Sequence, residues 1–198
     1  MVTLHARLAN VNTAVYGGLM SDQLSAKNWL DQGLRTLANS GFTALKAEPL
    51  AKAMGVSRGS FYWHFADVDA FHAAVLRHWH EVAVEQIIAG IEALPPGQSP
   101  IEQLLRRAFS RKPALESAIR SWATLDPVAS AAVRAVDRRR LSYVESLLAA
   151  SGLAPRVARA RAQILYWAFL GFALSEKPLP RARQAAVLDE LIRIASRS

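Results

Sequence analysis

The sequence predicts an all-α fold, in which an N-terminal three-helix head built on a helix–turn–helix carries a larger helical body. Three observations predict it. Apolar residues recur at helical spacing along most of the chain, Pro and Gly fall at the junctions between those stretches, and residues 45–65 (LKAEPLAKAMGVSRGSFYWHF) read as two short helices crossing at a glycine turn. A chain of 198 residues is long enough for a head and a body that each bury a core. Hydrophobic residues make up 52%, which excludes a disordered chain. The absence of Cys excludes disulfides and thiolate metal sites. The formal charge of +8 favours anionic partners. Its basic residues are scattered, however, with Arg106, Arg107, Arg138, Arg139, Arg140, Arg156 and Arg159 all in the body, so charge alone singles out no surface.

Residues 1–23 carry few charges and no sustained period, and are expected to form a loose extension. With only His5 and Arg7 to offer phosphate, this segment is poorly suited to be a DNA-binding arm. Residues 24–40 form an amphipathic helix with Trp29, Leu30, Leu34 and Leu37 on its inner face, and Gly41 lies just past its end. In the helix–turn–helix, Leu50, Met54, Val56 and Phe61 supply one shared seam, and Ala51 is small where the helices cross. Gly55 ends the first helix where a left-handed residue is needed. Ser57 takes the N-cap position of the second helix, residues 57–65, with its side-chain oxygen available to the backbone N–H groups there. Tyr62, Trp63, His64 and Phe65 follow one another on a helix too short to bury them all, so some must face a partner. A glycine-turned helix pair is the motif that sets its second helix in the DNA major groove; an ordinary helical hairpin is the alternative.

The run Gly55-Val56-Ser57-Arg58-Gly59-Ser60-Phe61-Tyr62-Trp63-His64-Phe65 resembles the signature of the TetR (tetracycline-repressor) family of bacterial transcriptional regulators. The resemblance covers residues 24–76, and from Met20 onward the sequence is similar to an ordinary family start. It implies that Arg58 reaches base edges, that Gly59 lets the backbone approach DNA, and that Tyr62 contacts a base or phosphate. Ser60 and His64 would hold phosphates, Ser57 would cap the helix, Trp63 would face either the groove or the next helix, and Phe61 and Phe65 would pin the helix to the head. Physical chemistry agrees with that division, since Arg is the commonest bidentate reader of guanine and hydroxyl or imidazole donors fix register on phosphates. Two departures stand out. Lys46 and Glu48 occupy places where the family carries a Ser or Thr cap and a phosphate-gripping base, and Val68 stands where a Lys is frequent. Lys46 can replace the first contact; losing the second makes the salt dependence shallower by nearly one unit of slope per protomer.

Asp67 caps a long helix predicted over residues 67–94, whose stripe includes Phe71, Val75, Trp79, Ile87 and Ile91, and which links head to body as a lever. His78, Glu81 and Glu85 share a face, but no opposing helix repeats the pattern, so a solvated polar face is expected and no metal. Residues 94–100 form a turn-rich boundary, followed by helices over 100–110, 113–125, 127–150, 155–174 and 181–198. The domain reading is therefore extension 1–23, head 24–70 and body 71–198. The longest apolar run, 164–174, is shorter than the roughly 20 residues a bilayer span requires, and no signal sequence opens the chain, so a cytoplasmic protein without a membrane partner is expected. That run is apolar on every side and needs cover. Ile164, Trp167, Leu170, Gly171 and Leu174, with Val187, Leu188, Leu191 and Ile192 of the last helix, are the candidate face of an isologous four-helix dimer, as the resemblance also implies.

No nucleophile elbow, phosphate loop, dinucleotide fingerprint or zinc-protease motif occurs, so no enzyme and no cofactor are expected. The resemblance implies a small-molecule pocket in the body, for which Trp79, Phe109, Trp122, Tyr143, Tyr166 and Trp167 are candidate lining and His78 or Arg120 candidate anchors. The expected function is a homodimeric regulator, most simply a repressor, that binds a near-palindromic operator in double-stranded DNA and is released by a small-molecule effector. The alternative is a ligand-binding or protein-interaction dimer whose head no longer reads DNA.

Overall fold

The computed structural model describes residues 24–110, 114–177 and 179–196. The expectations placed on residues 1–23 lie outside the described residues. Described elements are α-helical but for a short 3₁₀ turn and one π turn.

Helix α1 (Ala26–Ser40) starts at Ser25 in a capping box. The backbone N–H of Asn28 donates to the Ser25 hydroxyl, and the Asn28 side chain accepts from the Ser25 N–H. A 3₁₀ turn (Phe42–Ala44) leads into α2 (Ala47–Met54), which ends at Gly55 in the left-handed conformation, φ 69°. Helix α3 spans Arg58–Tyr62, shorter than the sequence suggested. The chain turns at Trp63 and His64 because Phe65 must reach inward, where its ring lies 4.9 Å from that of Phe71. Ser57 occupies the N-cap position, but its hydroxyl makes no cap hydrogen bond. The local closure comes instead from the Ser60 N–H donating to the Ser57 carbonyl at 3.0 Å.

The lever is α4 (Val68–His80), capped by Asp67, whose carboxylate accepts from the Ala70 N–H at 2.7 Å. The sequence pattern predicts one uninterrupted helix. The structure instead widens into a π turn (Glu81–Glu85) before continuing as α5 (Gln86–Glu92). The body adds α6 (Pro100–Ala108), α7 (Ala114–Ala123), α8 (Pro127–Ala150), α9 (Pro155–Leu174) and α10 (Arg181–Ser196).

Two apolar clusters hold these elements. One runs from the head through α4 and α5 to α7 and α8, with Trp29, Phe61, Phe71, Trp79, Ile119 and Trp122 at its centre. The other joins α6, the end of α8, α9 and α10 around Leu105, Phe109, Leu148 and Leu165. Since α4 belongs to both the head and the first cluster, no solvated linker separates head from body. Phe42 stacks on Trp122 of α7 with centroids 4.5 Å apart, and the His72 Nε2 donates to the Leu45 carbonyl at 2.9 Å. No described helix is long and apolar enough to cross a membrane.

Candidate nucleic-acid interface and body cavity

Helix α3 is anchored through one side chain. Phe61 is fully buried, its ring 5.4 Å edge-on to Trp29 and 5.2 Å from Phe71. A five-residue helix fixed at Phe61 presents its opposite face outward. Ser57, Arg58, Gly59, Tyr62, Trp63 and His64 are all exposed, and Ser60 is half-buried. Trp63 is 86% exposed, which settles its direction, since it packs under no neighbouring helix. Arg58 and Tyr62 sit one turn apart; an Arg58 Nη2 donates to the Tyr62 hydroxyl at 3.3 Å, and its guanidinium lies 5.7 Å from the ring centroid. A side chain built on Gly59 would meet nothing closer than the Ser57 hydroxyl at 3.7 Å, so the surface there is flat and open to a close approach.

The exposed Lys46 lies in the same neighbourhood. It shares a concave surface with Glu48, Pro49, Lys52, Arg58, Tyr62 and Val68, three cations against one carboxylate. Lys52 was not singled out by the sequence, although its place four residues after Glu48 puts both on one face of α2.

The second site is a cavity of about 720 Å³ in the body, between α4, the π turn, α5, α6, α7, α8 and α9. Of the residues expected to line it, Trp79, Phe109, Tyr143 and Tyr166 do. The other four do not. His78 turns toward α1, where its Nε2 donates to Asp31 Oδ1 at 2.6 Å. Trp122 is buried at the head–body joint under Phe42, and its Nε1 donates to Asp126 at 3.1 Å. Arg120 is held away by Glu116, Asp137 and Tyr166. Trp167 is 64% exposed on the outer face of α9. Residue type alone does not distinguish these directions, because it does not say which side of its helix faces the cavity.

The sequence did not single out Glu116, Arg140 and Phe169 of the lining. Glu116 is only 2% exposed and takes both Arg120, at 2.8 Å, and Arg140, at 2.9 Å. The Arg140 Nη2 also donates to the Ala83 carbonyl within the π turn, at 3.3 Å. The Tyr166 hydroxyl donates to Asp137 at 2.6 Å. Burial foremost, and then that bond, pushes its phenol well above the usual range. One signal was legible for this network: an acid at 116 and a base at 120 are one turn apart on a helix that carries no other charge. Among the described residues, no group of three His, Asp or Glu side chains is placed to hold a metal.

A third surface lies on α9. Ile164, Trp167, Gly171 and Leu174 are exposed at spacings of three, four and three residues, and so form one stripe, with Val187 of α10 also exposed. Leu170, Leu188 and Ile192 are half-buried, the last two against the second core cluster. Leu191 is corrected: it is 6% exposed and belongs to that core, leaving nothing for a second copy to cover.

This fold, with an outward-facing second helix in a helix–turn–helix, defines a helix–turn–helix DNA-binding protein. Residues 30–75 match the family model described as bacterial regulatory proteins, tetR family. Solved structures of similar fold include a TetR-family member of Streptomyces coelicolor, with 26% identity, covering 85% of this chain and 98% of that one, TM-score 0.58. Another is a protein of Saccharomonospora viridis described as a transcriptional regulator in complex with choline, with 13% identity, 85% and 95% coverage, TM-score 0.66. A third is the multidrug binding protein EbrR complexed with imidazole, with 24% identity, 84% and 93% coverage, TM-score 0.55. No curated protein sequence matches the chain. The match places a regulatory domain of the tetR-family type at residues 30–75, over the helix–turn–helix head and the start of α4.

Proposed function

We propose that the protein is a homodimeric, cytoplasmic repressor that grips a near-palindromic operator with two copies of α3 and lets go when a small molecule fills the body cavity. The observation that carries this reading is the division of α3 itself. Phe61 is fully buried, while Arg58, Tyr62, Trp63 and His64 are presented together to solvent. Arg58 and Tyr62 would read base edges, and Lys46, Ser57, Ser60 and His64 would fix register on phosphate, with Gly59 permitting the approach. The exposed stripe on α9 supports pairing through Ile164, Trp167, Gly171 and Leu174, which would set the two α3 copies roughly 34–36 Å apart on successive major-groove faces. The cavity supports the effector role, and two proteins of similar fold were solved with small molecules, choline and imidazole. Its wall includes Trp79 of the lever helix that also carries the head, so an occupant that prefers one pose of α4 shifts operator affinity by its differential binding.

Selection from a pool of random duplexes tests the proposal. Enrichment of a two-half-site sequence is expected, with half-sites one helical turn apart; a pool that stays random contradicts a specific regulator. One observation favours a second reading. Glu48 and Val68 lie on the same concave surface as Arg58, where a carboxylate and an apolar group weaken phosphate contact. In that reading the head no longer discriminates sequence, and the selected pool does not converge.

A further inference from the structure

Resting on the reading of the cavity as an effector site, we propose that its occupant is an amphipathic carboxylate, with the acid group on Arg140 and an apolar tail among the aliphatic side chains of α5, α6 and α9. The charge of the site points this way. Three guanidiniums, those of Arg107, Arg120 and Arg140, stand in or directly behind the wall against two carboxylates, Glu116 and Asp137. Both carboxylates are already taken. Glu116 is shared between Arg120 and Arg140, and Asp137 accepts from Arg120 and from the Tyr166 hydroxyl. Glu116 is the one acid among the described lining residues, so a cationic ligand finds no uncommitted partner there.

The aromatic faces exclude a cation in a second way. An ammonium group in an apolar pocket is held by ring faces. Here the Arg140 guanidinium already lies 5.8 Å from the Trp79 ring centroid and 5.4 Å from that of Phe169, so those faces have their cation. Arg140 itself is not saturated. Of the five N–H donors of a guanidinium, one donates to Glu116 and one, at a long 3.3 Å, to the Ala83 carbonyl. A planar carboxylate matches the remaining fork. Ile87, Ile88, Leu104, Val144 and Leu165 give the wall an aliphatic stretch that suits an unbranched tail. An acid on Arg140 also competes with the Ala83 carbonyl, which ties ligand binding to the π turn of the lever.

The test uses the full chain and three probes of one tail length: decanoate, decanol and decyltrimethylammonium, each below its micelle concentration, followed by titration calorimetry. Decanoate is expected to bind at least about tenfold more tightly than either of the others, the scale of one charge-assisted hydrogen-bonded pair. Arg140→Met is expected to lose that preference while still binding decanol, which shows that the cavity survives. Should that variant fail to fold, Arg140→Lys keeps the charge and is expected to keep a reduced preference for decanoate. Equal affinity for decanoate and decanol, or tighter binding of the ammonium, overturns the proposal. Operator binding, measured separately, distinguishes the two readings. Decanoate that binds a protein with no specific operator refutes the regulator alone, and a specific operator with no decanoate preference refutes the ligand class alone.

Discussion

His78 Nε2 lies 2.6 Å from Asp31 Oδ1, joining the last turn of α4 to the first helix of the head. Trp29, Leu37, Phe71 and Val75 share one apolar cluster, and with this bond they tie α1 to α4, so a displacement of the lever carries the head with it.

The pairing makes stability depend on acid. Burial pushes the Asp31 carboxyl up, but hydrogen bonds and charges from Lys27 and His78 outweigh it, and the group is held below its usual value. A depressed carboxylate stabilises the fold at pH values above its unfolded pKa, about 3.9, and that contribution disappears as pH falls through the lower folded value. Asp126 behaves likewise, held down by the Ala129 N–H foremost. Thermal melting temperature is therefore expected to drop as pH falls below about 4. Asp31→Asn should melt lower at pH 6 and show a flatter acid limb, with a loss of no more than about 1 kcal/mol because the carboxylate is partly solvated.

Asp126→Ala removes an N-cap that accepts from the Val128 N–H at 2.7 Å and the Ala129 N–H at 3.0 Å, and it also strips the partner from the Trp122 Nε1. Loss of about 1–2 kcal/mol is expected, a melting shift of about 2–8 °C, measurable by calorimetry.

A methyl-sized atom on Gly33 would sit 2.9 Å from Phe71 Cζ and 3.0 Å from Val75 Cγ2, both on fully buried side chains. Gly33→Val is therefore expected to cost about 1–3 kcal/mol through overpacking, more than the gain of under about 1 kcal/mol from removing a glycine inside a helix. Denaturant titration measures it. Accelerated amide exchange confined to α1 and α4 would show the damage to be at this crossing.

Much of this architecture was legible in the sequence because its signals are local. Gly41, Gly55 and Asp67 each mark a helix end by their own chemistry, and the turn at Gly55 with Phe61 six residues on is enough to place α3. What was not legible depends on partners distant in the chain. Arg140 reads as one more base in an Arg-rich stretch, and only the fold brings it to Glu116, Trp79 and Phe169. Trp122 and Trp167 are alike as residue types; one closes the head–body joint and the other faces outward, a difference set by which side of α7 and α9 is covered. The π turn leaves no mark in the apolar stripe, since Val82, Val84 and Ile88 suit either winding.

Trp167 on the open stripe of α9 gives the most direct handle on assembly. Replacing it with Glu places a charge at the centre of the proposed twofold face, where like charges from two copies would oppose one another. A shift from dimer to monomer is expected in sedimentation, with the helical signal unchanged because the side chain packs on little within its own protomer.

The central claim, that the outward face of α3 reads DNA sequence, is tested most directly by fluorescence anisotropy on the selected operator and on a random duplex of equal length, with the native chain and with Arg58→Ala. The native chain is expected to prefer the operator, and the variant, which loses an exposed side chain and no core contact, to melt as the native chain does yet give up about 1–3 kcal/mol of that preference per half-site. Equal binding of both duplexes by the native chain, or an operator preference untouched in the variant, would contradict it.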